Sequence, residues 1–257
     1  MLSLASTADV LAALESARSV SFSAYVLHPG AVFDALDAAA RRGAHVEVRV
    51  EASPYRAGSL ARLNARMVER LRRDGADARA EDGVHTKELT VDGVAYLDDS
   101  NWLGRGDTIV RDADADDPGV ATTKGAALAL ELRLIEGARG GDTIALETES
   151  FGNGPVSGAL ERAALRGANV RVLVAKRELR RNERESTTIA NLERAGIAVR
   201  ATDASEKFAV VAHATWVGSA NATYGAFDQS DWGAIVEDSA IGEHCERAFE
   251  TRWGGSR

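Results

Sequence analysis

Cysteine is nearly absent, Cys245 being the only one in 257 residues. A single thiol can form neither an internal disulfide nor a four-cysteine zinc site, so packing must hold the chain together and a reducing compartment suits it. No apolar run approaches the roughly 20 residues that cross a bilayer. The N-terminal stretch MLSLASTADVLAALESARSV lacks a basic leader region and reads as an amphipathic helix, which points to a cytoplasmic protein. Positive charge is also short: 31 Lys and Arg stand against 39 Asp and Glu, a net charge of -8. That balance argues against a broad surface for coating nucleic acid and leaves room for a local basic pocket around a phosphate. The densest basic run, KRELRRNER at residues 176–184, has Glu178 and Glu183 interleaved and reads as a solvated helix or loop face.

What the chain does have is 45% hydrophobic residues, enough for one large or two small domains, and an internal repeat. ALDAAARRGAHVEVRVE from Ala35 returns as ALERAALRGANVRVLVA from Ala159, an offset of 124. RLRRDGADARA around Gly75 returns as NLERAGIAVRA around Gly196, an offset of 121. His85 and Ser205, Lys87 and Lys207, and Asn101 and Asn221 are each 120 apart. The slow drift marks small loop deletions in a collinear duplication.

Each copy runs through one pattern. A helix opened by Ser or Thr comes first, then a strand, then an Ala-rich helix ending at Gly43 or Gly167. A strand of alternating valines follows, HVEVRV or NVRVLV, then another helix, a short strand and a hairpin. Alternating strands and helices with intervening hairpins imply an α/β protein of mixed sheets flanked by helices. The acidic linker RDADADDPGVATTKG at residues 111–125 divides the halves, giving 1–115 and 116–257. Packing about a pseudo-twofold axis would bring residues 85–101 opposite residues 205–221 in one cleft.

Those two stretches carry the chemistry. In HTKELTVDG, His85 and Lys87 stand two apart on a strand and project from one face. Lys87 suits an anionic substrate, and His85 is suited to act as nucleophile or proton carrier. Asp92-Gly93 is a hairpin signal, so Asp92 reads at least as much as a turn residue as a chemical one. The returning strand delivers Asn101, a hydrogen-bond donor for an oxyanion.

His-x-Lys, four residues, Asp, followed by Gly-Ser-x-Asn, resembles the signature of the phospholipase D superfamily. HTKELTVDG fits the first part, and Gly218-Ser219-Ala220-Asn221 fits the last. The resemblance implies two pseudo-symmetric phospholipase D-like halves with the active cleft between them, and it covers nearly the whole chain. It further implies a phosphohistidine on His85, with the second motif's His carrying protons and no cofactor or metal. Lys87 and Lys207, with Asn101, Asn221 and Ser219, would cradle the phosphate. Asp107 and Asp231 are the candidates for orienting a His. The implied partner is a phosphodiester-containing small molecule or lipid head group, with nucleic acid less favoured. The sequence leaves oligomeric state open.

The second motif is worn. Ser205 stands where the second His belongs, Ala212 where the second Asp belongs, and Asp99 replaces the Ser of the first Gly-Ser-x-Asn, which would bring a negative charge near the phosphate. Loss of general acid catalysis costs about 10²–10⁴ in rate, least for a leaving group that needs little protonation. Two readings follow: a phosphodiesterase or phosphatidyltransferase working through His85 with a weakened acid half, or a pseudoenzyme that binds a phosphorylated ligand. A Ser205–Lys207 nucleophilic pair would need an oxyanion hole that the sequence does not display. His28, His45, His213 and His244 read as structural, and Trp102, Trp216 and Trp232 flank the motifs as core or pocket residues.

Overall fold

The computed structural model describes residues 1–55, 58–104, 107–114, 117–179, 183–203 and 205–255. Strand β1, Leu2–Ala5, leads into helix α1, Thr7–Glu15, and strand β2, Ser19–Ala24. Helix α2, Ala31–Arg41, strand β3, His45–Glu51, helix α3, Gly58–Arg73, and strand β4, Asp77–Glu81, follow. A hairpin of β5, Glu88–Val91, and β6, Val94–Asp98, precedes β7, Ile109–Asp112. These seven strands form one sheet in the order β1-β7-β6-β5-β2-β3-β4.

The second half repeats the pattern. It contains β8, Ala121–Thr123, α4, Lys124–Glu136, β9, Thr143–Thr148, α5, Pro155–Leu165, and β10, Asn169–Ala175. After α6, Lys176–Leu179, and α7, Glu183–Arg194, come β11, Ala198–Thr202, and the hairpin β12, Phe208–Val211, with β13, Ala214–Gly218. Strand β14, Ser230–Val236, and helix α8, Ser239–Gly255, end the described chain. The sheet order is β11-β10-β9-β12-β13-β14-β8, the first order read from its other edge. In each half three parallel strands (β2-β3-β4 and β10-β11 with β9) join an antiparallel set through the hairpin.

Local chemistry explains the boundaries. Ser6 caps α1 in a reciprocal box, its hydroxyl accepting from Asp9 N while Asp9 accepts Ser6 N at 2.8 Å. That cap also corrects the expectation of a helix from the first residue. Leu2–Ala5 is extended and pairs antiparallel with β7, and Leu2 and Leu4 turn toward the core between the sheets. Gly43 and Gly167 follow α2 and α5 at φ +86° and +92°, a conformation with no Cβ penalty only for glycine.

One face of each sheet packs its own helices, around Phe22, Phe33 and Leu36 in the first half and Leu146, Leu160 and Val172 in the second. The opposite faces meet each other. Helix α8 is wedged there, with Ile241, Cys245 and Phe249 buried four residues apart beside Leu97 and Val110 of the first sheet and Phe208 and Val217 of the second.

The hairpin turns show what the missing second Asp does. Asp92 lies at φ +47° and its carboxylate accepts the backbone N–H groups of Ser19, at 2.9 Å, and Arg18. It sits in the turn at the far end of β5 from Lys87, so the structure places Asp92 outside the reacting cluster and gives it a backbone-tying part. Ala212 adopts the same turn at φ +52° without that carboxylate, a conformation that costs an ordinary residue about 1–2 kcal/mol. Asp92→Ala should lower the melting temperature by about 2–4 °C per kcal/mol lost, and Ala212→Asp should raise it. Paired thermal melts check both; a loss of function without a loss of stability in Asp92→Ala would return that residue to the chemistry.

Candidate functional site

The site is assembled by a backbone contact between the halves. Val84 forms a parallel bridge with Ser230; His85 N donates to Ser230 O at 3.1 Å, and Ser230 N donates to Gly83 O at 3.0 Å. Glu51 holds the other side of this segment by accepting Gly83 N and Val84 N. The bridge sets His85, from the first half, against Asp231, at the start of β14 in the second. Nδ1 of His85 stands 2.7 Å from Oδ1 of Asp231.

Asp231 is fully buried. The same Oδ1 accepts the Ser219 hydroxyl at 2.6 Å, and Oδ2 accepts Gln229 Nε2 at 2.8 Å. Ser219 also accepts Trp232 N at 2.9 Å, so both its lone-pair and proton directions are used. The structure therefore moves Ser219 from phosphate contact to holding the carboxylate. Burial acts to raise Asp231, but the facing His85, Lys87 and Ser219 overcome it and bring the carboxyl down to about 2. Burial and the neighbouring Lys87 ammonium push His85 down to about 4 against the pull of Asp231. Near neutral pH the pair is a carboxylate and an uncharged imidazole. With Nδ1–H donated to Asp231, Nε2 keeps its lone pair for attack. Tyr25 packs its ring 4.8 Å from that of His85.

Two buried lysines flank this pair. Lys87 Nζ donates to His85 O at 2.5 Å and lies 3.3 Å from His85 Nδ1. Lys207 Nζ donates to Ser205 O at 2.7 Å and Asp99 O at 3.1 Å. Burial, and then the repulsion of Lys207, lower Lys87 to about 7; burial lowers Lys207 as well. Both asparagines are pinned in matching ways. Asn101 Oδ1 accepts Val26 N at 3.4 Å and Asn221 Oδ1 accepts Ser150 N at 3.2 Å. Their NH₂ groups have no protein acceptor among the described residues, which leaves them as donors for an oxyanion.

The worn half has its own arrangement. Ser205 Oγ is hydrogen-bonded to Ser100 Oγ at 3.2 Å, and Lys207 contacts the Ser205 backbone oxygen, so no Ser–Lys nucleophilic pair is formed. Beside Lys207 stands Glu149, with Oε2 3.3 Å from Nζ; its other oxygen is paired with Arg177. Asp99 is fully buried, accepts Thr108 N at 3.0 Å, and is raised well above the usual carboxylate range by burial and then by Glu206 and Asp98. Burial thus disfavours its charged form, and its carboxyl oxygen repeats the backbone contact that Ser219 makes with Trp232 N. Asp107, the counterpart of Asp231, accepts Gly104 N at 2.9 Å and orients no His, since Ser205 stands at the position equivalent to His85. Beneath the lysines, Arg252 of α8 pairs with Glu206 and, at 2.8 Å, with Glu147.

Sequence reasoning missed Tyr25, Glu149, Arg177 and Gln229, none of which lies in the repeated motif. Arg177 could have been found in the basic run, whose start lies on the cleft side and faces Glu149 instead of solvent alone. Its charge also helps burial lower His28. His45 and His213 are exposed, while Trp216 and Trp232 are core residues bonded to Ala127 O and Asp98 O. A cavity of about 680 Å³ is lined by Val84 and Thr86, with Glu81, Asp82 and Glu88, and Asp231 also borders it. His85 and Lys87 are not among its walls.

Residues 132–253 match the family described as "Cardiolipin synthase, PLD-like domain". A solved polyphosphate kinase from Porphyromonas gingivalis aligns with 98% of this chain at a TM-score of 0.64 and 16% identity. The chain spans 50% of the length of that kinase, so the likeness is one of fold. A phospholipase D family member, Nuc, from Salmonella typhimurium aligns with 54% of this chain and 95% of its own, at a TM-score of 0.48 and 22% identity. NucT from Helicobacter pylori aligns with 52% of this chain and 91% of its own, at 0.45 and 18%. No curated protein matches the chain in sequence.

The lowered Lys87 gives a signed pH dependence for anion binding. Below about 7 its ammonium is present and attracts an anion; above that value the charge is lost. Sulfate, whose own charge is constant in this range, should therefore bind more tightly as pH falls through about 7, by up to about tenfold per unit. Calorimetric titration measures this, and Lys87→Met should bind weakly with a flat profile.

Proposed function

We propose that this chain, whose residues 132–253 match a phospholipase D-like domain family, cleaves phosphodiesters through a phosphohistidine on His85. The observation that carries this reading is the His85–Asp231 hydrogen bond of 2.7 Å, set between Lys87 and Lys207. An uncharged imidazole is the nucleophilic form, and here burial keeps it uncharged near neutral pH.

The two steps balance as follows. His85 Nε2 donates its lone pair to phosphorus, the bond to the leaving oxygen breaks, and that oxygen departs with the electron pair. The imidazolium so formed keeps its Nδ1 proton on the hydrogen bond to Asp231, whose charge stabilises it. Water, or an alcohol acceptor, then attacks phosphorus, loses a proton, and returns the electron pair to Nε2. Lys87, Lys207, Asn101 and Asn221 meet the oxygens on which charge develops, the term that contributes most to such chemistry. With Ser205 in place of a proton carrier, the first step favours leaving groups that need little protonation. The same geometry favours turnover over the pseudoenzyme reading, because the nucleophile and its orienting carboxylate are both in place.

Release of nitrophenol from a nitrophenyl phosphodiester should be measurable with the wild-type chain, and His85→Ala should abolish it. Asp231→Asn should slow it by about 10²–10⁴, since the carboxamide favours the wrong tautomer. Mass spectrometry of the quenched reaction should locate a phosphoryl adduct on His85. Equal release by the wild type and His85→Ala, with no adduct, would leave only a phosphate-binding protein.

A further inference from the structure

The duplicated lysines make the two halves directly comparable at atomic detail. In the intact half, Lys87 Nζ touches the backbone oxygen of the motif's first residue at 2.5 Å and the imidazole Nδ1 of that residue at 3.3 Å. In the worn half, Lys207 Nζ touches the backbone oxygen of Ser205 at 2.7 Å and Glu149 Oε2 at 3.3 Å. Each lysine thus has a second contact at 3.3 Å, an imidazole nitrogen in the intact half and the Glu149 carboxylate oxygen in the worn half.

Glu149 reaches this place from an equivalent position. Strand β2 ends at Ala24 and β9 at Thr148, so Tyr25 and Glu149 are the first residues beyond matching strands, 124 apart. Tyr25 lays its ring beside His85, whereas its counterpart presents a carboxylate to the lysine. The holding partners are complementary too. Asp231, an acceptor, fixes the imidazole of His85, and Arg177, a donor, fixes Glu149. Glu149 keeps 18% of its side chain exposed, at the lip of the cleft, from where water can be reached.

We propose that Glu149 replaces the missing second histidine as the proton acceptor of the hydrolytic step, with Arg177 as its positioning residue. This rests on the His85 phosphohistidine reading above. In that step the carboxylate takes a proton from water as the water oxygen bonds to phosphorus. The P–N bond breaks, its electron pair returns to Nε2 of His85, and the proton later leaves Glu149 for solvent. As a carboxylate between Lys207 and Arg177, Glu149 has no proton to give the leaving oxygen at the start of the first step. The division of labour is therefore unequal: hydrolysis is assisted, while departure of the first leaving group is not.

Rapid-quench kinetics with a nitrophenyl phosphodiester separate the two steps. Glu149→Gln should keep the burst of nitrophenol that reports attack by His85, and lose about 10²-fold or more in the steady-state rate. The His85 adduct should accumulate, and added formate should restore turnover in Glu149→Ala, which a merely structural residue would not permit. Three outcomes would overturn the assignment while leaving His85 in its role: wild-type turnover in Glu149→Gln, equal loss of burst and steady state, or faster turnover, which would make Glu149 a competitor for Lys207. Absence of any His85-dependent product from the wild type would overturn the parent reading and this one together.

Discussion

The bridge between Val84 and Ser230 is the contact on which the site depends. Two backbone hydrogen bonds join the halves at that point, and they fix the distance between a nucleophile contributed by one and a carboxylate contributed by the other. Side chains alone would not hold such a pair, since freezing two rotamers has its own entropic cost. Anchoring both residues on paired backbone removes most of that uncertainty. The layers of Ser219, Gln229 and Glu51 then lock what the bridge has placed.

The electrostatics follow from the same enclosure. Two ammonium groups are buried within reach of each other, which burial and mutual repulsion both oppose. A fold accepts that only where some gain offsets it, and an anion arriving between them would relieve the repulsion. The surrounding carboxyls do not all act as counter-charges to the lysines. Asp98 and Asp99 are driven toward the neutral form by burial, and Glu206 and Glu147 are shared with Arg252.

Much of this is legible in the sequence, for a physical reason. A repeat is a long-range pattern that local ambiguity cannot erase, and His-x-Lys on a strand determines that both side chains share a face. The matching sheets and the pairing of equivalent hairpins follow from those two facts. What the sequence hides is the direction in which a side chain spends its hydrogen bonds. Ser219 looks like an anion ligand by spacing, yet its neighbour across β14 is Asp231, and only the folded register reveals that. Asp92 and Ala212 look like chemistry because they recur in a motif, but turn geometry and the N–H groups of residues 18 and 19 explain them. The charge of Asp99 depends on burial, which no single residue type encodes. Glu149 and Arg177 come from segments far from either motif, brought in by the end of β9 and the start of α6.

Helix α8 adds a further consequence. Its apolar stripe is a spacer between the two sheets, and Arg252, on its last full turn, reaches the carboxylates directly under Lys207. The last described helix and the buried Lys207 are thus one mechanical and electrical circuit. Sliding that helix by a single residue would both change the gap between the sheets and strip the counter-charge from Glu147 and Glu206. Site chemistry and the seating of the last helix cannot vary independently in this protein.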